Sequence, residues 1–158
     1  MRRATARGAE RHSLDGTRAD VIVCGASFAG LAVARELALA GPAAAGADVL
    51  LLDRYEVGER ATSACAAPTE WLEAMGVAGA IRQEIPCMRF HTPHGSSRYR
   101  LPWSWSAFDY RELCRLLLGQ SNARFETATV RGRAGSVVHT DRGAVSYTHL
   151  TLPTIYSV

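Results

Sequence analysis

Asp20-Val21-Ile22-Val23-Cys24-Gly25-Ala26-Ser27-Phe28-Ala29-Gly30 is the stretch on which the fold turns. Val21, Ile22, Val23 and Cys24 form a short apolar run, the mark of a strand buried on both faces. Leu31, Ala32, Val33, Ala34, Arg35, Glu36 and Leu37 follow at once as a helix. Strand, small-residue turn and helix in this order present a helix N-terminus to an anion. The turn reads Gly25-x-Ser27-x-x-Gly30, a G-x-G-x-x-G pattern with serine in the middle. Gly25 permits the tight exit from the strand, and Gly30 lets helix and strand approach closely. Ser27 keeps a small side chain where backbone would meet phosphate, and its hydroxyl can bond phosphate itself. The alternative is an ordinary tight strand-to-helix turn.

Working outward, the helix is expected over 28–40 and stops at Gly41-Pro42. A loose Ala/Gly loop leads to a second parallel strand, Asp48-Val49-Leu50-Leu51-Leu52-Asp53. Asp53 ends it, where an acid accepts hydrogen bonds from adenosine ribose hydroxyls and disfavours a 2′-phosphate. It stands 28 positions after Gly25, and the insertion at 42–46 absorbs the extra length. Arg54, beside it, packs over adenine or faces solvent. A short helix is expected over 68–76, with Pro68 at its start and Gly76 after its end. Two strand-like pieces lie within 86–101, broken by Pro93-His94-Gly95-Ser96. Residues 109–119 read as an amphipathic helix, with Asp109 as N-cap and Glu112 completing a capping box. Strands at 124–130, 135–140 and 144–148 follow, forming a β-meander.

Composition bounds the class. The chain has 158 residues and a 47% apolar fraction, which suits one soluble domain with a real core. No run approaches the roughly 18 apolar residues of a membrane span, so membrane association is not indicated. All 18 basic residues are arginine, and Ala is abundant, a bias typical of GC-rich bacterial coding sequence. Five of those arginines lie in the first 18 residues; the remainder carries little charge bias, so nucleic-acid binding is not indicated. Residues 1–18 lack the apolar core of a secretory signal and are expected to be a disordered leader. Cys24, Cys65, Cys87 and Cys114 show no C-x-x-C or zinc spacing, which suggests reduced thiols in a cytoplasmic protein.

Residues 146–158 read Ser-Tyr-Thr-His-Leu-Thr-Leu-Pro-Thr-Ile-Tyr-Ser-Val and contain no Arg, Ala, Gly or acid. That composition departs from the rest and resembles translated sequencing-adapter tails. The expectation is a non-native tail over 146–158; the alternative is a genuine Thr-rich terminal strand. A partial cofactor-binding domain then occupies 19–145.

Taken together, the 20–38 stretch, Val49-Leu50-Leu51-Leu52-Asp53-Arg54, the 58–77 segment with its Arg60 and Cys65, and Phe108-Asp109-Tyr110-Arg111-Glu112-Leu113 resemble the N-terminal part of FAD-dependent oxidoreductases. The nearest groups are the geranylgeranyl-reductase-like enzymes and the hydroxylases of the p-hydroxybenzoate hydroxylase type. The resemblance implies an α/β, Rossmann-type FAD-binding (GR2-like) domain, incomplete, with a β-meander. It implies FAD as cofactor, with NAD(P)H as candidate electron donor and a small apolar or aromatic molecule as substrate. Gly25, Ser27, Phe28, Ala29 and Gly30 would hold the pyrophosphate, and Asp53 and Arg54 the adenosine side. Arg60 matches an arginine that contacts phosphate or ribitol, for which a guanidinium is suited. Arg111 matches a second arginine near the cofactor, or is a surface residue at a helix start. The strand over 125–130 would lie beside adenine, with the Val130 backbone in contact. Cys65 matches a cysteine near the flavin, or is an inert small residue, since alanines stand where the family has glycines.

The resembling enzymes carry a later Gly-Asp motif and a substrate domain, and neither is found here. The expected parent activity is reduction or hydroxylation on flavin, with this segment inactive alone. Two other readings stay open: a nucleotide-binding module or inactive remnant, and a plain NAD-binding Rossmann dehydrogenase. His91 and His94 straddle a turn with no third ligand, so no metal site is expected. Trp103 and Trp105 alternate on one strand face, walling an apolar pocket or packing a sheet.

Overall fold

The computed structural model describes residues 11–40, 46–61 and 65–148. A first strand, β1 (Thr17–Ala19), leads into β2 (Val21–Cys24), α1 (Phe28–Leu39) and β3 (Val49–Asp53). Helix α1 carries the chain back, so β2 and β3 run parallel, with Val21 opposite Val49 and Cys24 opposite Leu52. Strand β4 (Ala66–Pro68), helix α2 (Thr69–Ala74) and a 3-10 turn (Ala78–Ala80) come next. A long hairpin follows, β5 (Ile81–Thr92) and β6 (Gly95–Phe108), then helix α3 (Tyr110–Gly119). The chain closes with β7 (Arg124–Thr127), β8 (Val130–Ala134), β9 (Val137–Thr140) and β10 (Gly143–Tyr147).

The central parallel sheet has the order β2-β3-β7. Its two faces serve two cores. Val23, Val49 and Leu51 pack with Leu31, Leu72, Leu113, Cys114 and Leu117 of the helical layer. Ile22, Leu50 and Leu52 pack with Leu14, Ala19, Ala128, Val138 and Val145 of the meander. The sheet of that second layer runs β1-β10-β9-β8. Strand β3 therefore reads as an unbroken apolar run, because neither face meets water. Burying each of Leu50, Leu51 and Leu52 contributes about 1.5–3 kcal/mol. This is a mixed α/β fold.

The third sheet, β4-β6-β5, is antiparallel and dominated by the hairpin. Helix α2 packs on its base, where Thr69 Oγ1 meets Ser106 Oγ at 2.8 Å. Toward its tip the hairpin runs into solvent. Met88, Phe90, Tyr99 and Trp103 are exposed there, with Phe90 and Tyr99 in edge contact at 5.6 Å. Trp105 is half-buried, and its indole N–H is shielded from water with no hydrogen-bond partner among the described residues.

Several expectations need correction. The leader expected over 1–18 is ordered in its described part, 11–18. Leu14 is buried, its N–H donates to Arg142 O at 2.7 Å, and β1 pairs in parallel with β10. Residues 1–10 lie outside the described residues. The boundary expected at 145 falls inside β10, where Ser146 and Tyr147 pair with Arg18 and Ala19. Residues 149–158 lie outside the described residues. The hairpin extends well beyond 86–101 at both ends, joined by Pro93-His94. The strand expected over 124–130 is two strands: the chain leaves the parallel sheet after Thr127 and enters the meander at Val130. The capping box at α3 is half formed. Asp109 accepts the Glu112 N–H at 3.0 Å, but the Glu112 carboxylate turns to Arg115 instead.

Candidate functional site

The C-terminal ends of β2 and β3 meet at one edge of the central sheet, and the turn after β2 is stitched to the end of β3. Gly25 N–H donates to Leu52 O at 2.7 Å, and Ala26 N–H donates to Asp53 Oδ2 at 2.7 Å. Gly30 packs so closely under this turn that a Cβ would lie 1.8 Å from the Gly25 carbonyl oxygen. No side chain longer than hydrogen fits there, so the glycine pattern has a steric cause in this fold.

Helix α1 begins without a cap. Ser27 is the N-cap residue, its hydroxyl makes no capping bond, and the first turn carries no acid. The first N–H to find a helical carbonyl is that of Leu31, to Ser27 O at 2.9 Å. The N–H groups of Phe28, Ala29 and Gly30 in the first turn of α1 have no helical carbonyl to meet, and with the positive end of the helix dipole they suit an anion. The Phe28 ring packs with its centre 5.8 Å from that of Phe108 and 4.9 Å from that of Tyr110. It anchors the start of α1 to the start of α3.

Beyond β3 the chain folds over the same opening. Asp53 Oδ1 accepts the Tyr55 N–H at 2.9 Å, so both oxygens of this carboxylate hold backbone. The guanidinium carbons of Arg54 and Arg60 each lie 5.1 Å from the Tyr55 ring centre, and Arg60 also donates to the Tyr55 hydroxyl. Gly58 adopts φ +69 and presses on α3, where a Cβ would lie 2.6 Å from Arg111 Cα. Glu59 Oε2 accepts the Glu56 N–H at 3.0 Å, which closes the loop on itself.

These pieces line a half-open cavity of about 160 Å³, formed by Ala26, Ser27, Asp53, Arg54, Tyr55, Glu56, Gly58, Arg60 and Tyr110. It has room for about five water molecules, the bulk of a ribose or a phosphate group. Of the residues expected from sequence, Ser27, Asp53, Arg54 and Arg60 come together on it, with Gly25, Gly30, Phe28 and Ala29 framing the turn beneath. Arg111 reaches it only through the backbone under Gly58. Val130 begins β8 and packs on the meander core, away from the lining. Cys65 packs on the helical core and accepts the Phe108 N–H at its carbonyl, also away from the lining. Burial pushes the thiol of Cys114, in that same core, up to about 11. Tyr55, Glu56 and Tyr110 were not singled out from sequence; the loop after Asp53 held the signal, an aromatic between two arginines.

A larger hollow of about 610 Å³ lies at the hairpin tip, lined by Phe90, Thr92, His94, Gly95, Ser96, Ser97 and Tyr99. It is open to solvent and carries no cluster of titratable groups. His91 Nδ1 is hydrogen-bonded to Ser96 Oγ at 2.7 Å. Among the described residues no three His, Cys, Asp or Glu side chains gather as metal ligands, and no helix is long and apolar enough to cross a membrane.

The fold is similar to those of solved structures that include a monooxygenase and FAD-dependent halogenases. PqsL of P. aeruginosa, solved in complex with 2-aminobenzoylacetate, superposes with a TM-score of 0.62 at 13% identity, over 83% of this chain and 41% of that one. The p-nitrophenol 4-monooxygenase PnpA from Pseudomonas putida DLL-E4 gives 0.61 at 14% identity, over 84% of this chain and 40% of that one. The halogenase PltM, in complex with phloroglucinol and FAD, gives 0.59 at 14%, over 82% of this chain and 33% of that one. The chain thus spans two-fifths or less of PltM and PnpA, and little more of PqsL. No protein-family model and no curated protein matches the sequence.

Proposed function

We propose that this chain binds the ADP half of FAD at the C-terminal ends of β2 and β3, through a Rossmann-type arrangement, and serves an FAD-dependent oxidoreductase. The observation that carries the reading is the uncapped, acid-free start of α1 opening beside a cavity that holds Ser27, Asp53 and Arg60. The likeness in fold to a monooxygenase and to flavin-dependent halogenases favours, within this proposal, oxygen-dependent chemistry over the geranylgeranyl-reductase type; NAD(P)H is the proposed source of electrons.

The residues present fit the adenylate side of such a cofactor. The N–H groups of the first turn of α1 and the Ser27 hydroxyl would hold the pyrophosphate. Arg60, held against Tyr55, would add a cation at the rim. Gly30 keeps the turn pressed on the strand so that these donors keep their positions. The flavin would supply the redox chemistry, and the chain's own contribution is binding and orientation. An apolar or aromatic small molecule remains the proposed substrate of the whole enzyme.

The test is equilibrium titration of the full chain with FAD, followed by fluorescence, with ADP and FMN as competitors. FAD is expected to bind and ADP to displace it, while FMN, which lacks the adenylate, does not. An Arg60→Ala variant should weaken FAD about tenfold, as loss of one charge-assisted contact. Competition by FMN but not ADP would refute the site.

A further inference from the structure

We infer that the outer part of the β5–β6 hairpin, residues 87–100, seats on an anionic lipid surface. Its apolar face enters the interface and its arginines reach the headgroups. The ribbon separates two chemistries, because successive side chains of a strand point to opposite faces. Register sets Met88 against Tyr99 and Phe90 against Ser97 on one face, and Cys87 against Arg100 and Arg89 against Arg98 on the other. Met88, Phe90 and Tyr99 are exposed on the first face, and Trp103 is exposed farther along β6. Arg89, Arg98 and Arg100 are exposed on the second. Arg89 and Arg98 stand directly opposite each other, and like charges so placed cost a ladder stability. Arg98 Nε donates to Cys87 Sγ at 3.2 Å, but none of the three arginines pairs with a carboxylate among the described residues. Residues 85–104 contain no acid at all. The cations are thus uncompensated, and they share a narrow ribbon with exposed rings.

Charge and placement together select the partner. A second copy seated on the apolar face would leave the arginines without a counter-charge. A nucleic-acid strand or an acidic protein lying on the arginine face would leave the rings in water. A lipid interface satisfies both faces, because the ribbon is only two strands wide, with about 5 Å between them. Strand β5 is the edge of its sheet, and β6 meets β4 only through Trp105, Ser106 and Ala107. Both edges of 87–100 are therefore open among the described residues. Arginine stems can carry their guanidinium groups round those edges to lipid phosphates while Phe90 and Tyr99 enter the interface. Attachment of this kind grows with the apolar area buried and with the attraction of basic groups to anionic lipid. The sequence has no run long enough to span a bilayer, and a hairpin lying on the surface needs none.

The experiment is co-sedimentation of the full chain with vesicles of phosphatidylcholine, with and without phosphatidylserine. The wild-type chain should prefer the phosphatidylserine vesicles. Each arginine near an anionic surface is worth about fivefold, so Arg89→Gln with Arg98→Gln and Arg100→Gln should weaken that binding about a hundredfold. Phe90→Ser with Tyr99→Ser should weaken binding to both kinds of vesicle, and both variants should melt as the wild type does. Five other arginines crowd the first 18 residues, so Arg2→Gln with Arg3→Gln and Arg7→Gln serves as the charge-matched control and should keep the preference. Loss of the preference in that control, with retention in the hairpin triple, would overturn the inference. So would a wild-type chain that ignores phosphatidylserine, a single-stranded oligonucleotide that binds more tightly than the vesicles, or a dimer that Phe90→Ser with Tyr99→Ser dissolves. Phe90→Trp reads the contact without a change of charge. Its added emission should be quenched by lipids brominated along the acyl chain, and added emission that stays unquenched would overturn the inference even if the other variants did not fold.

Discussion

The β2–α1 turn and the β5–β6 hairpin are both tight reversals between regular elements, and they treat their surroundings in opposite ways. At the first, every neighbour is in contact. Gly30 touches the Gly25 carbonyl, Asp53 holds two backbone N–H groups, and Phe28 is wedged against Phe108 and Tyr110. At the second, two strands of 12 and 14 residues run out from the core, with Phe90 and Tyr99 about half exposed. One region is over-determined by its own packing, and the other is held mainly by its ladder. A substitution should therefore be felt strongly in the first region and weakly in the second.

The sharpest way to break that contrast is Gly30→Ala. The added methyl meets backbone, which cannot move aside as a flexible side chain would, so a loss of about 3 kcal/mol is expected. Thermal unfolding should show a melting point lower by roughly 10 °C. A change within error would mean that the turn is looser than its contacts imply.

Asp109 lies at the joint between the two regions, where β6 passes into α3. The Glu112 N–H, and then the Arg82 guanidinium, hold its carboxyl below the usual carboxylate range. A folded-state pKa below the unfolded one contributes stability that is complete above the ordinary value of about 4 and is lost as pH falls through the lower folded value. Asp109→Asn keeps a good N-cap but removes the titration. Below about pH 4 its melting temperature should therefore fall less steeply than that of the wild-type chain. Parallel curves would show that the carboxylate does not contribute.

The smallest effect is expected at the hairpin tip. Phe90→Ser with Tyr99→Ser removes two exposed rings, and denaturant unfolding should shift by less than about 0.5 kcal/mol per site. A larger loss would show that the tip is packed in solution and would erase the contrast.

The same division governed what was legible in the sequence. Residues 20–53 signal themselves locally, because apolar runs, a glycine turn and a helix stop each act over a few neighbours. Asp109 was readable as a cap for the same reason. Strand β1 was not, because Thr17, Arg18 and Ala19 become a strand only by pairing with β10, at the other end of the chain. Strand β4 is Ala66-Ala67-Pro68, which has no strand preference of its own and is made one by β6. The outer hairpin was readable over 86–101 from its turn residues, but the inner part of β5, 81–85, was not, because it becomes strand by pairing with 105–108 of β6. In the site, the position of Asp53 was evident, but the direction of its carboxylate was not. That direction depends on the reach of an aspartate to the Ala26 N–H, a distance that exists only once β2 and β3 are paired.

The parallel pairing of β1 with β10, Thr17 opposite Val145, has a consequence for the ribosome. At ordinary elongation rates the partner of β1 emerges on the order of ten seconds after β1 itself. Through that interval Leu14, Ala19, Ile22 and Leu50 have no meander to cover them, while α1 and β3 are already synthesised. The nascent chain thus carries one face of its central sheet bare until β10 has emerged, and whatever binds apolar nascent segments meets that face first.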